Sequence, residues 1–364
     1  MNKFKTKYSA FLVDYEDNDL DNEISVAEAL ANPPKLPPEL IEGVVRVGHK
    51  MMISGASKAG KSFLLMELAI ALSEGTKWLS FQCKKSKVLY INLEIDETSC
   101  PHRFIEIYKA LKIKPKHSHD IVIWNLRGRA MPLDQLAPIL IRRVVHQGYE
   151  AIIIDPIYKV ITGDENNASD MGAFTNLFDK ICKETGCTVI FSHYHSKGAQ
   201  GFKRAMDRAS GSGVFARDPD ALVDMIQLDI SEEFLAHNAD DQSSTAWRME
   251  SSLREFNNFK PLNFWFEYPI HRVDDRDILK KKYADGDPKA NLEKSGKRTQ
   301  TPESRKDEFD AAFEINVAKN GTCLLSVLAE YLGVTNRTIR KRINEFNDEY
   351  DISKSVITRN NKSE

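Results

Sequence analysis

Lys50-Met51-Met52-Ile53-Ser54-Gly55-Ala56-Ser57-Lys58-Ala59-Gly60-Lys61-Ser62 is the stretch from which the rest of the chain can be read. Its apolar start has no polar alternation, which predicts a strand covered on both faces; the following Phe63-Leu64-Leu65-Met66-Glu67-Leu68-Ala69-Ile70-Ala71-Leu72 predicts a helix. Between them, Gly55 to Ser62 fits the GxxxxGK[ST] pattern of a phosphate-binding P-loop, in the strand-before, helix-after context the motif requires. The glycines let backbone N–H groups curl around phosphate oxygens, and the helix adds the positive end of its dipole. Gly55, Ala56, Ser57, Lys58, Ala59, Gly60, Lys61 and Ser62 are therefore the expected ATP-binding residues, with Lys61 on the β- and γ-phosphates and Ser62 as a ligand of Mg2+.

Working outward, four more apolar runs (VLYINLE, IVIWNL, AIIIDP and TVIFSHYH) alternate with amphipathic helical patterns. That alternation predicts an α/β fold with a mainly parallel central sheet over residues 41–274. STAWRMESSLREF and PLNFWFEYPIHRV read as two strands of an antiparallel hairpin at the sheet's edge. Asp155 ends the AIIID run, where a carboxylate can hold magnesium beside a P-loop; the other reading is a strand-end aspartate in a turn with Pro156. Glu94 ends VLYINLE and could orient or deprotonate an attacking water, or could instead cap the helix that starts near Asp96 to Thr98. His193 ends TVIFSH and could sense the γ-phosphate, or could be a satisfied interior histidine.

The flanks differ in composition. Residues 1–40 combine acidic side chains (Asp14, Glu16, Asp17, Asp19, Asp21, Glu23) with the proline-rich NPPKLPPEL, an expected lead-in strap. Residues 275–305 turn polar and charge-mixed, as a flexible linker does. Within 306–364, three helical patterns predict a small helix-turn-helix module of winged form, with Leu328, Leu332, Val334, Ile339 and Ile343 inside. Arg337, Arg340, Lys341 and Arg342 would then face duplex DNA, although many such modules serve protein contacts instead. The formal net charge of -2 excludes a global polycation, so nucleic-acid contact must come from local basic surfaces. No apolar run reaches the roughly 20 residues of a membrane span, and the N-terminal residues lack the pattern of an export signal. Five cysteines without a CxxC pair suit a reducing compartment, so a cytoplasmic protein with free thiols is expected.

From about Leu40 to about Val273 the chain resembles the RecA-like ATPases of the RepA-type plasmid helicase family, also described as AAA-type ATPases of phages and mobile elements. The resemblance is carried by LIEGVVRVGHKMMISGASKAGKSFLL, LYINLEIDETSCPHRF, IIIDPIYKVITGDENNASDM and FSHYHSKG. It implies that Glu94 is catalytic, that Asp155 binds magnesium, and that the protein forms a hexameric ring that unwinds DNA at a replication origin. The family's His-His pair is here His193-Tyr194, with His195 one place later. In such rings a neighbour supplies an arginine to the transferring phosphoryl group; Arg217 matches that position, with Arg208 as the alternative. Loops at 158–171 and 197–208 could line a central pore, the second offering Lys197, Lys203 and Arg204 to single-stranded DNA. The expected function is thus an ATP-dependent DNA helicase or translocase in replication of a plasmid, phage or integrated element. An ATP-regulated DNA-binding regulator and a recombination or repair accessory ATPase share the same nucleotide site and stay open.

Overall fold

The computed structural model describes residues 23–161, 163–196, 208, 213–231, 234, 235, 237, 244–280, 282, 302–346 and 349–360. The chain divides into two compact units, Met1–Pro37 and Pro38–Glu364. In the first, helix α1 (Val26–Ala31) begins with a reciprocal capping box: Ser25 Oγ accepts from the Glu28 backbone N–H, and the Glu28 carboxylate accepts from the Ser25 N–H. Its Val26 and Leu30 side chains are exposed.

The second unit starts with the small antiparallel pair β1 (Glu39–Ile41) and β2 (Val45–Arg46), then β3 (Lys50–Gly55) and helix α2 (Lys61–Glu74). The paired strands β4 (Lys77–Trp78) and β5 (Phe81–Gln82) follow. Next come β6 (Val88–Asn92), α3 (Ser99–Leu111), β7 (Ile121–Asn125), α4 (Leu133–Gln147), β8 (Ala151–Asp155), α5 (Ala168–Thr185) and β9 (Thr188–Tyr194). Four strands complete the core: β10 (Ala221–Gln227), β11 (Thr245–Leu253), β12 (Leu262–Glu267) and β13 (Ile270–Val273). They form a nine-stranded sheet in the order β13-β12-β11-β10-β3-β9-β8-β6-β7. From β10 to β7 every pairing is parallel, and from β10 to β13 every pairing is antiparallel.

Period-two alternation sorts the strand side chains onto two faces. Met51, Ile53, Val88, Tyr90, Ile153 and Ile190 pack with α2 and α3; Met52, Leu89, Ile91, Ile152, Ile154 and Phe191 pack with α4 and α5. Strands buried on both faces cannot tolerate polar alternation, hence the unbroken apolar runs. Helix α2 is buried from Leu64 to Ser73 on every side, so its sequence is apolar all round, and it ends at Gly75 in the left-handed conformation. All five cysteines are buried free thiols. Among the described residues no helix is long and apolar enough to cross a membrane.

Two features differ from the expectation. PLNFWFEYPIHRV is two strands, not one: it turns at Tyr268-Pro269, so β11, β12 and β13 make a meander. Strand β10 has no counterpart among the expected strands because Asp224 interrupts its apolar run, yet it lies beside the P-loop strand.

Beyond the sheet lie α6 (Pro302–Asn316), β14 (Thr322–Leu324), α7 (Leu325–Tyr331), α8 (Asn336–Glu345), β15 (Tyr350–Ser353) and β16 (Val356–Arg359). The three strands pair antiparallel in the order β14-β16-β15. Leu328, Ile339 and Ile343 are buried here as the helical spacing requires, with Leu332 and Val334 partly buried. The same apolar cluster takes in Trp265 from β12, Leu228 and Leu279. Ile278 and Leu279 belong to the stretch expected to be linker but are buried, with the Asp274 carboxylate accepting from both of their N–H groups. Lys282 adds an ion pair to Glu330 of α7 at 2.9 Å. Residues 283–301 of that stretch lie outside the described residues, as do residues 1–22 of the strap.

Candidate functional site

Because β3, β6, β8 and β9 run parallel, Gly55, Asn92, Asp155 and Tyr194 all end at one edge of the sheet, where α/β folds bind ligands. A cavity of about 400 Å³ opens there, lined by Ser57 to Phe63 together with Glu94, Arg103, Asp155, Tyr194 and Phe266.

The P-loop has the backbone shape of a phosphate cradle. Gly60 caps helix α2 with φ +77° and no side chain to offer, so the first N–H groups of the helix are not satisfied by a capping side chain. A side chain at Gly60 would be strained by that φ and would also crowd His271 Nε2, 3.1 Å from an added Cβ. His271 is itself fixed to α2: its Nδ1 and backbone N–H meet the buried Glu67 carboxylate at 2.6 and 3.1 Å. Lys61 Nζ donates to the carbonyls of Gly55 (2.8 Å) and Ala56 (2.7 Å) and lies 4.3 Å from the centre of the Tyr194 ring. Burial pulls the Lys61 ammonium down to about 8, against the opposing pull of Asp155 and Glu94.

Asp155 is buried and held by two hydroxyl donors, Tyr90 to Oδ2 at 2.8 Å and Ser192 to Oδ1 at 2.7 Å. Burial, with the neighbouring Asp155 charge, pushes the Tyr90 phenol far above its ordinary value, so it serves as a neutral donor. With Ser62 on the cavity wall, the site offers a hydroxyl and a carboxylate, the hard oxygen donors that suit Mg2+. The residues present therefore fit a nucleotide with its magnesium.

Glu94 lies two residues past the end of β6, exposed at the mouth of the cavity. Asn92 braces the turn that carries it, accepting from the N–H groups of Glu94 (3.3 Å) and Ile95 (2.9 Å). The capping alternative falls to Asp96, which accepts from the N–H groups of Thr98 and Ser99 at the start of α3. The Tyr158 and Tyr194 hydroxyls reach the two Glu94 oxygens at 3.5 Å each.

His193 is placed differently from the γ-phosphate contact expected of it. Alternation along β9 puts Ser192 and Tyr194 on the cavity wall, and puts buried His193 on the face shared by Val189 and Phe191. His195 joins a buried polar node instead. The fully buried Asp224 carboxylate accepts from His195 Nε2 (2.6 Å), Arg208 Nη1 (2.6 Å) and the Ser54 hydroxyl. Burial raises the Asp224 carboxyl, but those donors more than offset it and hold it below its ordinary value. The His195 N–H also donates to Gly55 O at 3.1 Å, so the node abuts the P-loop.

Arg208, spent on Asp224 and on Glu250 at 2.8 Å, is an internal structural cation and not a finger for a neighbour. Arg217 is exposed and precedes Asp218, which pairs with Lys50 at the far end of β3 from the P-loop. Lys197, Lys203 and Arg204 lie outside the described residues. On α8, Arg337, Arg340 and Lys341 are exposed, but Arg342 turns inward and its Nη1 lies 3.6 Å from Glu308 of α6, so its expected DNA-facing position is corrected. Arg103, Tyr194, Phe266, Ser192, Tyr90 and Asp224 were not legible as site residues. Of these, Ser192 and Tyr194 carry a sequence signal, their period-two spacing at the end of the strand that TVIFSHYH predicts.

A family model described as an AAA domain matches residues 19–200, half of the chain. Among solved structures, a KaiC-like protein from the hyperthermophilic archaeon Pyrococcus horikoshii is similar to 65% of this chain and 95% of its own, with 15% sequence identity and a TM-score of 0.43.

Proposed function

We propose that the chain, a member of the AAA-domain family, is an ATPase of the RecA-like type that couples ATP turnover to movement on DNA as a helicase or translocase. The observation that carries this reading is a shared strand. Phe266 of β12 lines the nucleotide cavity, while the adjacent Trp265 is fully buried in the cluster formed by α6, α7 and α8. In this reading β12 is the route by which nucleotide binding would act on the C-terminal elements, since it packs against both. We read those elements as a winged helix-turn-helix: α7, a turn through Gly333 and α8 make the two-helix motif, and β15–β16 the wing. Exposed Arg337, Arg340 and Lys341 give α8 a cationic surface suited to DNA phosphates.

In this proposal Lys61 and the P-loop N–H groups hold the phosphates, Ser62 and Asp155 hold Mg2+, and Glu94 accepts a proton from the attacking water. Bound magnesium would supply charge neutralisation on the phosphate oxygens. Arg217, which precedes the partner of Lys50 at the far end of β3 from its own P-loop, is assigned to a neighbour's nucleotide in a head-to-tail ring, with hexameric closure as the favoured assembly. Lys197, Lys203 and Arg204 are assigned to the single strand on charge alone.

The test is steady-state hydrolysis by wild type and Glu94→Gln, with and without single-stranded DNA, beside unwinding of a forked duplex. DNA-stimulated turnover with strand separation, both lost in Glu94→Gln while nucleotide still binds, is the expected result. Turnover indifferent to DNA, with no strand separation, would replace the motor by an ATP-switched DNA-binding regulator.

A further inference from the structure

Tyr194 touches both halves of the hydrolytic site. Its ring carries the Lys61 ammonium at 4.3 Å, and its hydroxyl reaches Glu94 Oε2 at 3.5 Å. Tyr158 mirrors it on the other carboxylate oxygen, also at 3.5 Å, and the two rings pack 5.5 Å apart at 51°. Both hydroxyl contacts stand at the outer limit of hydrogen bonding, where a modest rotation makes or breaks the bond. Lys61 also donates to the Gly55 and Ala56 carbonyls of its own loop.

We propose that Tyr194 is a positioning residue that reports the γ-phosphate to Glu94, resting on the reading of this site as an ATPase. Lys61 lies on the P-loop carbonyls and the tyrosine face, a cation–π contact in a largely desolvated pocket, and Glu94 is held by two long contacts. A γ-phosphate attracts the Lys61 ammonium more strongly than carbonyls and a ring do, because it carries full negative charge. Lys61 then leaves the ring, Tyr194 rotates, and its hydroxyl closes on Glu94 Oε2, fixing the carboxylate toward the water. Burial, aided by Glu94 and Tyr158, pushes the Tyr194 phenol up to about 12, which keeps it a neutral donor at working pH.

The experiment compares wild type, Tyr194→Phe and Tyr194→Ala for kcat and KM with Mg-ATP, for affinity toward fluorescent ADP, and for Tm. Tyr194→Phe keeps the ring and loses the hydroxyl, so kcat is expected to fall on the order of tenfold with KM, ADP affinity and Tm little changed. Tyr194→Ala loses the ring as well as the hydroxyl, so kcat should fall at least as far. A wild-type kcat in Tyr194→Phe overturns the proposal, as does a kcat loss that merely follows lowered Tm in both variants. A wild type that binds but never hydrolyses ATP, with DNA or without, would defeat the ATPase reading itself and this proposal with it.

Discussion

Raising the pH from 7 to 9 should weaken nucleotide binding by about tenfold, through Lys61 alone. Its ammonium is buried at 6% exposure and its pKa is lowered to about 8, so the nucleotide-free site holds the charged form at pH 7 and mostly the neutral amine at pH 9. The protonated fraction falls from roughly nine-tenths to roughly one-tenth over that range, about 1.4 kcal/mol of binding if only the ammonium engages phosphate. The effect on stability has the opposite sign. Between about pH 8 and the ordinary lysine value of 10.5 the unfolded chain binds more protons at this lysine than the folded one, so nucleotide-free stability rises with pH across the window in which affinity falls. Calorimetric titration with a non-hydrolysable ATP analogue at pH 7, 8 and 9, in two buffers of different ionisation heat, should show proton uptake approaching one per nucleotide at pH 9. Lys61→Arg provides the control, since a guanidinium stays charged throughout, and its weaker affinity should be flat with pH. A flat wild-type profile, or an equal fall in Lys61→Arg, would refute the argument.

Asp224→Ala should lower stability by about 3 kcal/mol or more, because it removes the acceptor shared by buried Arg208, His195 and Ser54. Thermal unfolding should show this as a drop of roughly 5–10 °C, and a change within 1–2 °C would mean the node is dispensable. Arg337→Ala should weaken duplex DNA binding and reduce the salt slope by about one without altering Tm. Arg342→Ala, which removes the partner of Glu308, should instead lower Tm and leave the salt slope unchanged.

The C-terminal helices show why some side chains were legible and others not. Spacing in TNRTIRKRINEF correctly puts Ile339 and Ile343 inside, since a 3.6-residue period is a property of the segment. It does not separate Arg342 from Arg340 and Lys341, because Arg342 is inward only by virtue of Glu308 on another helix. The same limit applies to β10. Asp224 marks ALVDMIQ as an unfavourable strand until Arg208 and His195, sixteen and twenty-nine residues away, are seen to neutralise it.

The sequence by itself determined the P-loop, the parallel α/β core around it, and the strand ends that deliver Asp155 and, with its turn, Glu94. Each of these is written in contiguous residues: glycine spacing, apolar runs, and the rule that parallel strands present their C-terminal ends together. Only the tertiary structure decided what surrounds them. Tyr90 and Ser192 on Asp155, Tyr194 between Lys61 and Glu94, His193 turned to the other face, and Phe266 and Trp265 dividing one strand between nucleotide and C-terminal elements are contacts across distant segments. No local pattern encodes them, because a side chain's partner across a sheet is fixed by strand order and register, and those emerge only when the whole core packs.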